Sequence, residues 1–116
     1  MIIKDYKTAG GNAPVKDFIA TLPDETKIEI FTLLRRLEKR EFLNMPHSRS
    51  LSSIYKGLFE LRVKDTAGQV RVFYYTKIKD TIYLIHALRK KSKIIANKDR
   101  KLILKRIKKI TFEIGG

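Results

Sequence analysis

The sequence contains no cysteine, and this absence removes several classes of protein at once. Without thiols the chain forms no disulfide, uses no thiolate nucleophile and binds no cysteine-ligated zinc. Its two histidines have no carboxylates at metal-ligand spacing, and neither a glycine-rich phosphate loop nor a nucleophile elbow occurs. We therefore expect no metal and no other cofactor.

Long hydrophobic runs are also missing. No stretch approaches the about 18 apolar residues of a membrane-spanning helix, and the N-terminus lacks the apolar region and cleavage site of a signal peptide. The length fits a single domain over residues 1–116, and a hydrophobic content of 43% is enough for one compact core. We expect a cytoplasmic protein with no membrane partner.

Acidic residues are few compared with basic ones. The chain has 12 Asp and Glu against 26 Lys and Arg, which gives a formal net charge of +14. Between residues 89 and 109 the only acid is Asp99, so the excess is clustered rather than evenly spread. Such a charge attracts polyanions, above all nucleic acid, although solubility alone and an acidic protein partner are alternatives.

Hydrophobic spacing predicts a strand followed by two helices in the first third of the chain. Residues 1–6 are apolar and suited to a short strand, and a helix follows from Pro14 to about residue 22. A second, longer helix begins near Asp24. Its expected apolar stripe consists of Ile28, Phe31, Leu34 and Leu37. The two helices should form a hairpin that covers one side of a sheet.

The period changes to two in the second half of the chain. Residues 59–64, 70–75 and 81–88 alternate between apolar and polar side chains and are separated by short turns, which predicts three antiparallel strands. The region 48–55 allows one further short strand, and a basic amphipathic helix begins at Asn97. The fold class is α+β: a small antiparallel sheet of about four to five strands, the helix hairpin on one face and a basic C-terminal helix.

The central hairpin determines which side chains share a face. If Ala67 and Gly68 form its turn, then Glu60 faces Tyr75, Arg62 faces Phe73, and Lys64 faces Arg71. These six side chains then lie together on one face, and the alternate residues form the core on the other.

This face has the parts that RNA binding and cleavage require. Arginines bind phosphate oxygens in pairs of hydrogen bonds, aromatic rings stack on bases, and guanidinium groups stabilise the charge that develops when a 2′-OH attacks the adjacent phosphate. Candidates for the general base and acid are Lys90, Lys91, Lys93, His86 and Tyr75, and lysines in so positive a region should have lowered pKa values. The structural alternatives are that Phe73 and Tyr75 pack under the last helix, that Arg62 and Lys64 are solvated, and that His86 is a core residue.

Three segments together resemble the HigB-like branch of the RelE/ParE toxin superfamily. They are residues 57–62 (GLFELR), 70–75 (VRVFYY) and 85–92 (IHALRKKS), and the order of the predicted elements extends the similarity to most of the chain. The resemblance implies a RelE-like microbial RNase fold. It also implies a metal-independent, ribosome-dependent endoribonuclease that cleaves mRNA, inhibits translation and is inhibited by an antitoxin, often of the helix-turn-helix type.

The resemblance also assigns roles to individual residues. It implies that Arg71 contacts the scissile phosphate, with Arg62, Lys90 and Lys91 as further catalytic candidates beside Tyr75 and His86. Residues expected to bind RNA are Lys64, Phe73, Arg89 and Lys93. The sequence departs from the pattern at Leu58 and Glu60, where relatives have lysines, and near Ile94 and Ala96, where relatives have lysine and proline.

Three other functions are compatible with the same sequence. A ParE-like protein would share the scaffold but poison DNA gyrase. A non-enzymatic nucleic-acid-binding protein would place its basic C-terminal helix in a groove, so that neutralising lysines in residues 98–109 would matter more than replacing Arg71. A degenerate toxin would retain only the binding of its antitoxin.

Overall fold

Five strands and three helices follow one another in the order that the sequence predicts. A computed structural model describes residues 1–90 and 94–114. The elements are β1 (Ile2–Asp5), α1 (Pro14–Ala20), α2 (Asp24–Glu38), β2 (Ser48–Ser50), β3 (Leu58–Asp65), β4 (Gly68–Tyr75), β5 (Thr81–Lys90) and α3 (Asn97–Glu113). The predicted α+β class is confirmed, and β2 is the short strand that the region 48–55 allowed.

The five strands form one mixed sheet in the order β1-β5-β4-β3-β2. Strands β2 to β5 are an antiparallel meander, as predicted, but β1 pairs with β5 in parallel. The prediction of a purely antiparallel sheet is therefore wrong at this edge. A parallel pair needs a long connection, and the chain between β1 and β5 supplies one through the helix hairpin and the meander.

The register of the central hairpin differs from the predicted one by two residues. Asp65 pairs with Gly68, so the turn residues are Thr66 and Ala67 instead of Ala67 and Gly68. The Asp65 carboxylate accepts a hydrogen bond from the Ala67 backbone N–H at 3.0 Å, and Gly68 has a φ of +133°. This hydrogen bond stabilises a turn that begins one residue earlier than predicted, and Gly68 adopts a positive φ that other residues rarely adopt. Because the shift is even, each side chain remains on its predicted face.

Each face of the sheet has its own hydrophobic core. Helices α1 and α2 pack on one face, where Leu61, Val63, Val70 and Val72 are buried. Helix α3 packs on the opposite face, where Ile103, Ile107 and Ile110 contact Leu58, Phe73, Tyr75 and Ile85. The chain is thus a three-layer domain, and the sheet face predicted to bind RNA is partly covered by α3.

The sheet-facing stripe of α2 differs from the predicted one. Ile30, Leu33, Leu34 and Leu37 are buried, at the spacing i, i+3, i+4 and i+7 of one helix face. Ile28 and Phe31, which the sequence placed in the stripe, are 64% and 51% exposed. No helix in the described part of the chain has the length and apolar composition needed to cross a bilayer.

Candidate functional site

Three arginines from three neighbouring strands converge on one buried glutamate on the α3 side of the sheet. Arg49 of β2 and Arg62 of β3 place their Nε atoms 3.6 Å and 3.7 Å from Glu60 Oε1, and Arg71 of β4 places Nη1 3.5 Å from Glu60 Oε2. We call Arg49, Arg62 and Arg71 the arginine cluster.

The strand register brings these residues together. Arg49 pairs directly with Glu60 across β2 and β3, and Arg62 pairs directly with Arg71 across β3 and β4. Side chains of directly opposed residues lie close together on one face, and two like charges in such a pair repel each other. Glu60 supplies the opposite charge that makes the Arg62–Arg71 pair tolerable.

Exposure increases outward through the arginine cluster. The Glu60 side chain is completely buried, the side chain of Arg71 is 3% exposed, that of Arg62 17% and that of Arg49 43%. Gln69 Oε1 accepts hydrogen bonds from Arg71 Nε at 3.1 Å and Arg62 Nη2 at 3.3 Å, which orients both guanidinium groups. Burial lowers the pKa of Arg71 and Glu60 opposes this effect. Three cations share a single anion, so the cluster presents excess positive charge at its open side.

Two lysines extend the arginine cluster towards the hairpin turn. Gln69 pairs with Lys64 on one side and with Lys90 on the other, so both lysines lie on the same face as Arg71. Burial lowers the pKa of Lys90, and the positive charge of Arg71 lowers it further. The expectation of a lowered lysine pKa in this region is confirmed for Lys90, whose ammonium also donates a hydrogen bond to the Ile94 carbonyl.

His86 lies on the same face but has both ring nitrogens engaged. Nε2 donates a hydrogen bond to Asp99 Oδ1 at 2.9 Å, and Nδ1 lies 3.4 Å from Arg106 Nη1. The ring stacks on Phe73, and burial lowers the pKa of His86 in spite of the opposing effect of Asp99. Burial thus favours a neutral His86, and its contacts join α3 to β5, which is the structural alternative considered from the sequence.

The two aromatic candidates on this face are core residues. Phe73 is completely buried between His86 and α3, so its ring has no free surface for a base, contrary to the RNA-binding role predicted for it. Tyr75 is also buried and packs edge-on against Tyr55. Tyr75 lies four residues after Arg71 on β4, which corresponds to a separation of about 13 Å along the strand. Burial raises the pKa of the Tyr75 hydroxyl. Neither ring joins the arginine cluster.

Arg89 lies on the face opposite to Arg71. It pairs with Val70, a residue of the α1–α2 core, and its guanidinium group contacts the Asp65 carboxylate. Asp65 Oδ2 also accepts a hydrogen bond from the Thr26 hydroxyl of α2 at 3.0 Å. Arg89 thus anchors the hairpin to α2, away from the RNA-binding surface on which it was expected. Lys91 and Lys93 lie outside the described residues.

Sequence reasoning placed Arg62, Lys64 and Arg71 on one face correctly and added Lys90 through the family resemblance. It missed the other two members of the site. Glu60 was placed on the same face but was given no role. Strand parity alone put this single acid among several cations, and that was a signal that it could pair with them. Arg49 lies in a region that the sequence describes only as irregular, so no local pattern indicated that it would reach Glu60.

The described residues contain no group of three or more His, Asp or Glu side chains arranged to hold a metal ion. The fold is consistent with a small RelE-like domain, and its distinguishing surface is a cationic cluster at one end of the sheet.

Residues 17–108 match the family described as Phage derived protein Gp49-like, and the chain belongs to this family. It is a toxin-like family of toxin–antitoxin systems, which suggests a cognate antitoxin as the partner. The match is to the family as a whole and does not distinguish the HigB-like branch. No curated protein matches the chain.

Proposed function

We propose that the protein is the toxin of a toxin–antitoxin system and a metal-independent endoribonuclease that cleaves mRNA on the ribosome and thereby inhibits translation in the cytoplasm. The observation that carries this proposal is the convergence of Arg49, Arg62 and Arg71 on one buried carboxylate. Guanidinium groups held in fixed positions stabilise the charge of a phosphoryl transition state without reorganising during the reaction.

The reaction is an attack of a ribose 2′-oxygen on the adjacent phosphorus. A bond forms from the 2′-oxygen to phosphorus, the bond from phosphorus to the 5′-oxygen breaks, and a cyclic phosphate and a free 5′-hydroxyl result. Arg62 and Arg49, the more exposed members of the cluster, bind the phosphate oxygens, and Arg71 adds positive potential from below. One proton leaves the 2′-hydroxyl and one reaches the 5′-oxygen. Lys90, with its lowered pKa beside Arg71, is the described residue best suited to transfer a proton.

Helix α3 offers a second cationic surface on the same side of the sheet. Lys98, Lys101, Lys105 and Lys108 are all exposed and follow one another at spacings of three and four residues. Such a row contacts phosphates without reading base sequence. It suits the backbone of ribosomal or messenger RNA, and the helix-turn-helix antitoxin implied by the resemblance would have to compete with that binding.

Expression of the wild-type protein with mapping of transcript ends tests this proposal. We expect growth arrest and new 5′ ends within translated reading frames, and both should disappear in Arg62→Ala and Arg71→Ala. Losing one group that stabilises the transition-state charge typically costs about 100-fold or more in rate. Arg36→Ala is the matched control, because Arg36 lies on α2, on the other side of the sheet. Undiminished cleavage in both cluster variants would refute the proposal.

A non-enzymatic nucleic-acid-binding function is the second candidate, and the lysine row of α3 favours it. In that case Lys101→Glu with Lys105→Glu would abolish growth arrest, whereas the arginine variants would arrest growth as the wild type does and no transcript ends would appear. A gyrase poison would instead produce broken DNA with intact transcripts.

A further inference from the structure

Glu60 balances the charge of Arg62 and Arg71, but it lies too far from both to fix their orientation. Its oxygens are 3.7 Å from Arg62 Nε and 3.5 Å from Arg71 Nη1, whereas N–H···O hydrogen bonds in proteins usually measure about 2.7–3.2 Å. Within the described part of the chain, Glu60 Oε1 and Arg62 Nε are buried without a hydrogen-bond partner. Coulombic attraction acts at these distances but has little directional preference. The orientation of the guanidinium groups therefore needs a directional contact from another residue.

Gln69 supplies this directional contact. Its Oε1 atom accepts hydrogen bonds from Arg71 Nε at 3.1 Å and from Arg62 Nη2 at 3.3 Å, and both distances are shorter than those to Glu60. Because arginine only donates hydrogen bonds, the amide oxygen must face the guanidinium groups and the amide nitrogen must point away from them. Arg62 Nη1 also lies 3.6 Å from Met45 Sδ, but a thioether sulfur is a weak acceptor. A single oxygen atom thus joins arginines of two neighbouring strands.

The neutrality of Gln69 matters because its neighbours on this face are cations. It is paired with Lys64 of β3 and Lys90 of β5, it precedes Arg71 by two residues on β4, and it is hydrogen-bonded to Arg62. A glutamate at this position would offer the same oxygen together with a negative charge, which would cancel part of the positive potential that attracts an anion. Glutamine provides the acceptor and leaves that potential intact.

We propose that Gln69 is a positioning residue of the ribonuclease: its oxygen holds Arg62 and Arg71 at the orientation in which both donate to one phosphate group, and its neutrality keeps the cluster cationic. This inference rests on the proposed function and adds to it a residue that acts through the two arginines.

The positioning role predicts a larger effect on the chemical step than on RNA binding. Donors stabilise the charge of a transition state when they are already held in place and need not reorganise during the reaction. The RNA backbone, in contrast, is attracted to the basic surface as a whole, including the lysine row of α3. Loss of the Gln69 hydrogen bonds should therefore lower kcat and leave KM nearly unchanged.

Two substitutions separate the acceptor of Gln69 from its neutrality. Gln69→Leu removes both hydrogen bonds with little change in size and none in charge, whereas Gln69→Glu keeps the acceptor and adds a negative charge. In cleavage of mRNA on purified ribosomes, Gln69→Leu should lower kcat by about 10-fold or more, because misplaced groups lose much of their catalytic effect. Its KM should stay within about twofold of the wild-type value, since the basic surface remains.

Gln69→Glu should instead raise KM, because the added charge repels the RNA backbone. Thr66→Glu is the matched control, since it adds the same charge at an exposed residue of the same hairpin. It should change KM less than Gln69→Glu and leave kcat unchanged, because Thr66 lies in the turn and not beside the two arginines.

Nuclear magnetic resonance tests the positioning without any cleavage. The Arg71 Nε–H that donates to Gln69 should exchange slowly with water in the wild type and in Gln69→Glu, and faster in Gln69→Leu. Inorganic phosphate should shift the Nε–H signals of Arg62 and Arg71 in the wild type, and it should bind more weakly to Gln69→Leu. Urea unfolding shows whether each variant is folded. A purely structural role would change the unfolding midpoint but neither the exchange rate nor kcat of the folded protein.

The kinetic and spectroscopic results distinguish failure of this inference from failure of the proposed function. If the wild type does not cleave mRNA on ribosomes, the ribonuclease proposal fails, and the exchange and phosphate measurements still decide whether Gln69 positions the arginines for an anion. Wild-type kcat in Gln69→Leu would overturn the positioning role. So would unchanged exchange of the Arg71 Nε–H, or a raised KM with unchanged kcat in Gln69→Leu, which would make Gln69 a binding residue only.

Discussion

Arg62 and Arg71 are directly paired residues of β3 and β4, and the guanidinium group of each lies within 3.7 Å of the same Glu60 carboxylate. Two arginines opposed in this way would repel each other if they were alone. The shared glutamate holds both in place and is itself sealed from water. The arrangement of the cationic cluster therefore depends on a residue that is itself completely buried.

Replacement of Glu60 by glutamine should lower the free energy of unfolding by about 3 kcal/mol, the usual cost of breaking a buried ion pair from one side. Glutamine keeps the size of the side chain but removes the charge that three arginines share. Urea unfolding measures the change, and Glu29→Gln at an exposed position of α2 is the control. Equal unfolding midpoints for the two variants would show that Glu60 does not hold the cluster.

His86 should make stability depend on pH near neutrality. Burial lowers the pKa of His86 in the folded protein, so the unfolded chain takes up this proton at a higher pH than the folded chain. The stability that comes from keeping His86 neutral is complete well above its ordinary pKa of 6.5 and is lost as the pH falls through 6.5 towards the lower pKa of the folded protein. Unfolding measured between pH 8 and about 5 should show a smaller slope in His86→Asn than in the wild type. His47→Asn serves as the control, and equal slopes in all three proteins would contradict the assignment.

Arg89→Ala should lower stability above pH 3.8, should flatten the loss of stability between pH 3.8 and about 2, and should leave transcript cleavage intact. The hydrogen bond from Arg89 is the main cause that lowers the pKa of Asp65 from 3.8 to about 2. The stabilisation from this lowered pKa is present above 3.8 and is lost as the pH falls towards about 2. Unfolding of the wild type and the variant across this range measures the difference. Cleavage should persist because Arg89 lies on the α1–α2 side, and a variant without cleavage would place it in the RNA site after all.

Some features of the site could be predicted from local patterns, and others could not. Strand parity placed Glu60, Arg62, Arg71 and Phe73 on one face before the register was known, and a register error of two residues did not alter that grouping. Parity does not reveal which part of a face another element covers. For that reason Phe73 was expected to meet a base, although α3 covers it.

The predictions for Arg89 and for the stripe of α2 were wrong for other reasons. Arg89 was expected to bind RNA as one of the clustered basic residues, but it points to the face opposite to its neighbour Lys90, because neighbouring residues of a strand point to opposite faces. Ile28 and Phe31 fit an amphipathic helix by spacing. The helix is rotated so that Ile30 and Leu33 face the sheet, and this rotation depends on packing against distant strands.

The sequence by itself determined the order of the elements, the two faces of each central strand and the excess of positive charge. These properties follow from residue spacing and composition, which are local and additive. Only the tertiary structure decided that Arg49 joins Arg62 and Arg71, that Glu60 is buried among them, and that Phe31 remains exposed on α2. The reason is physical: those facts depend on register and helix rotation, which are fixed by contacts between segments far apart in the chain.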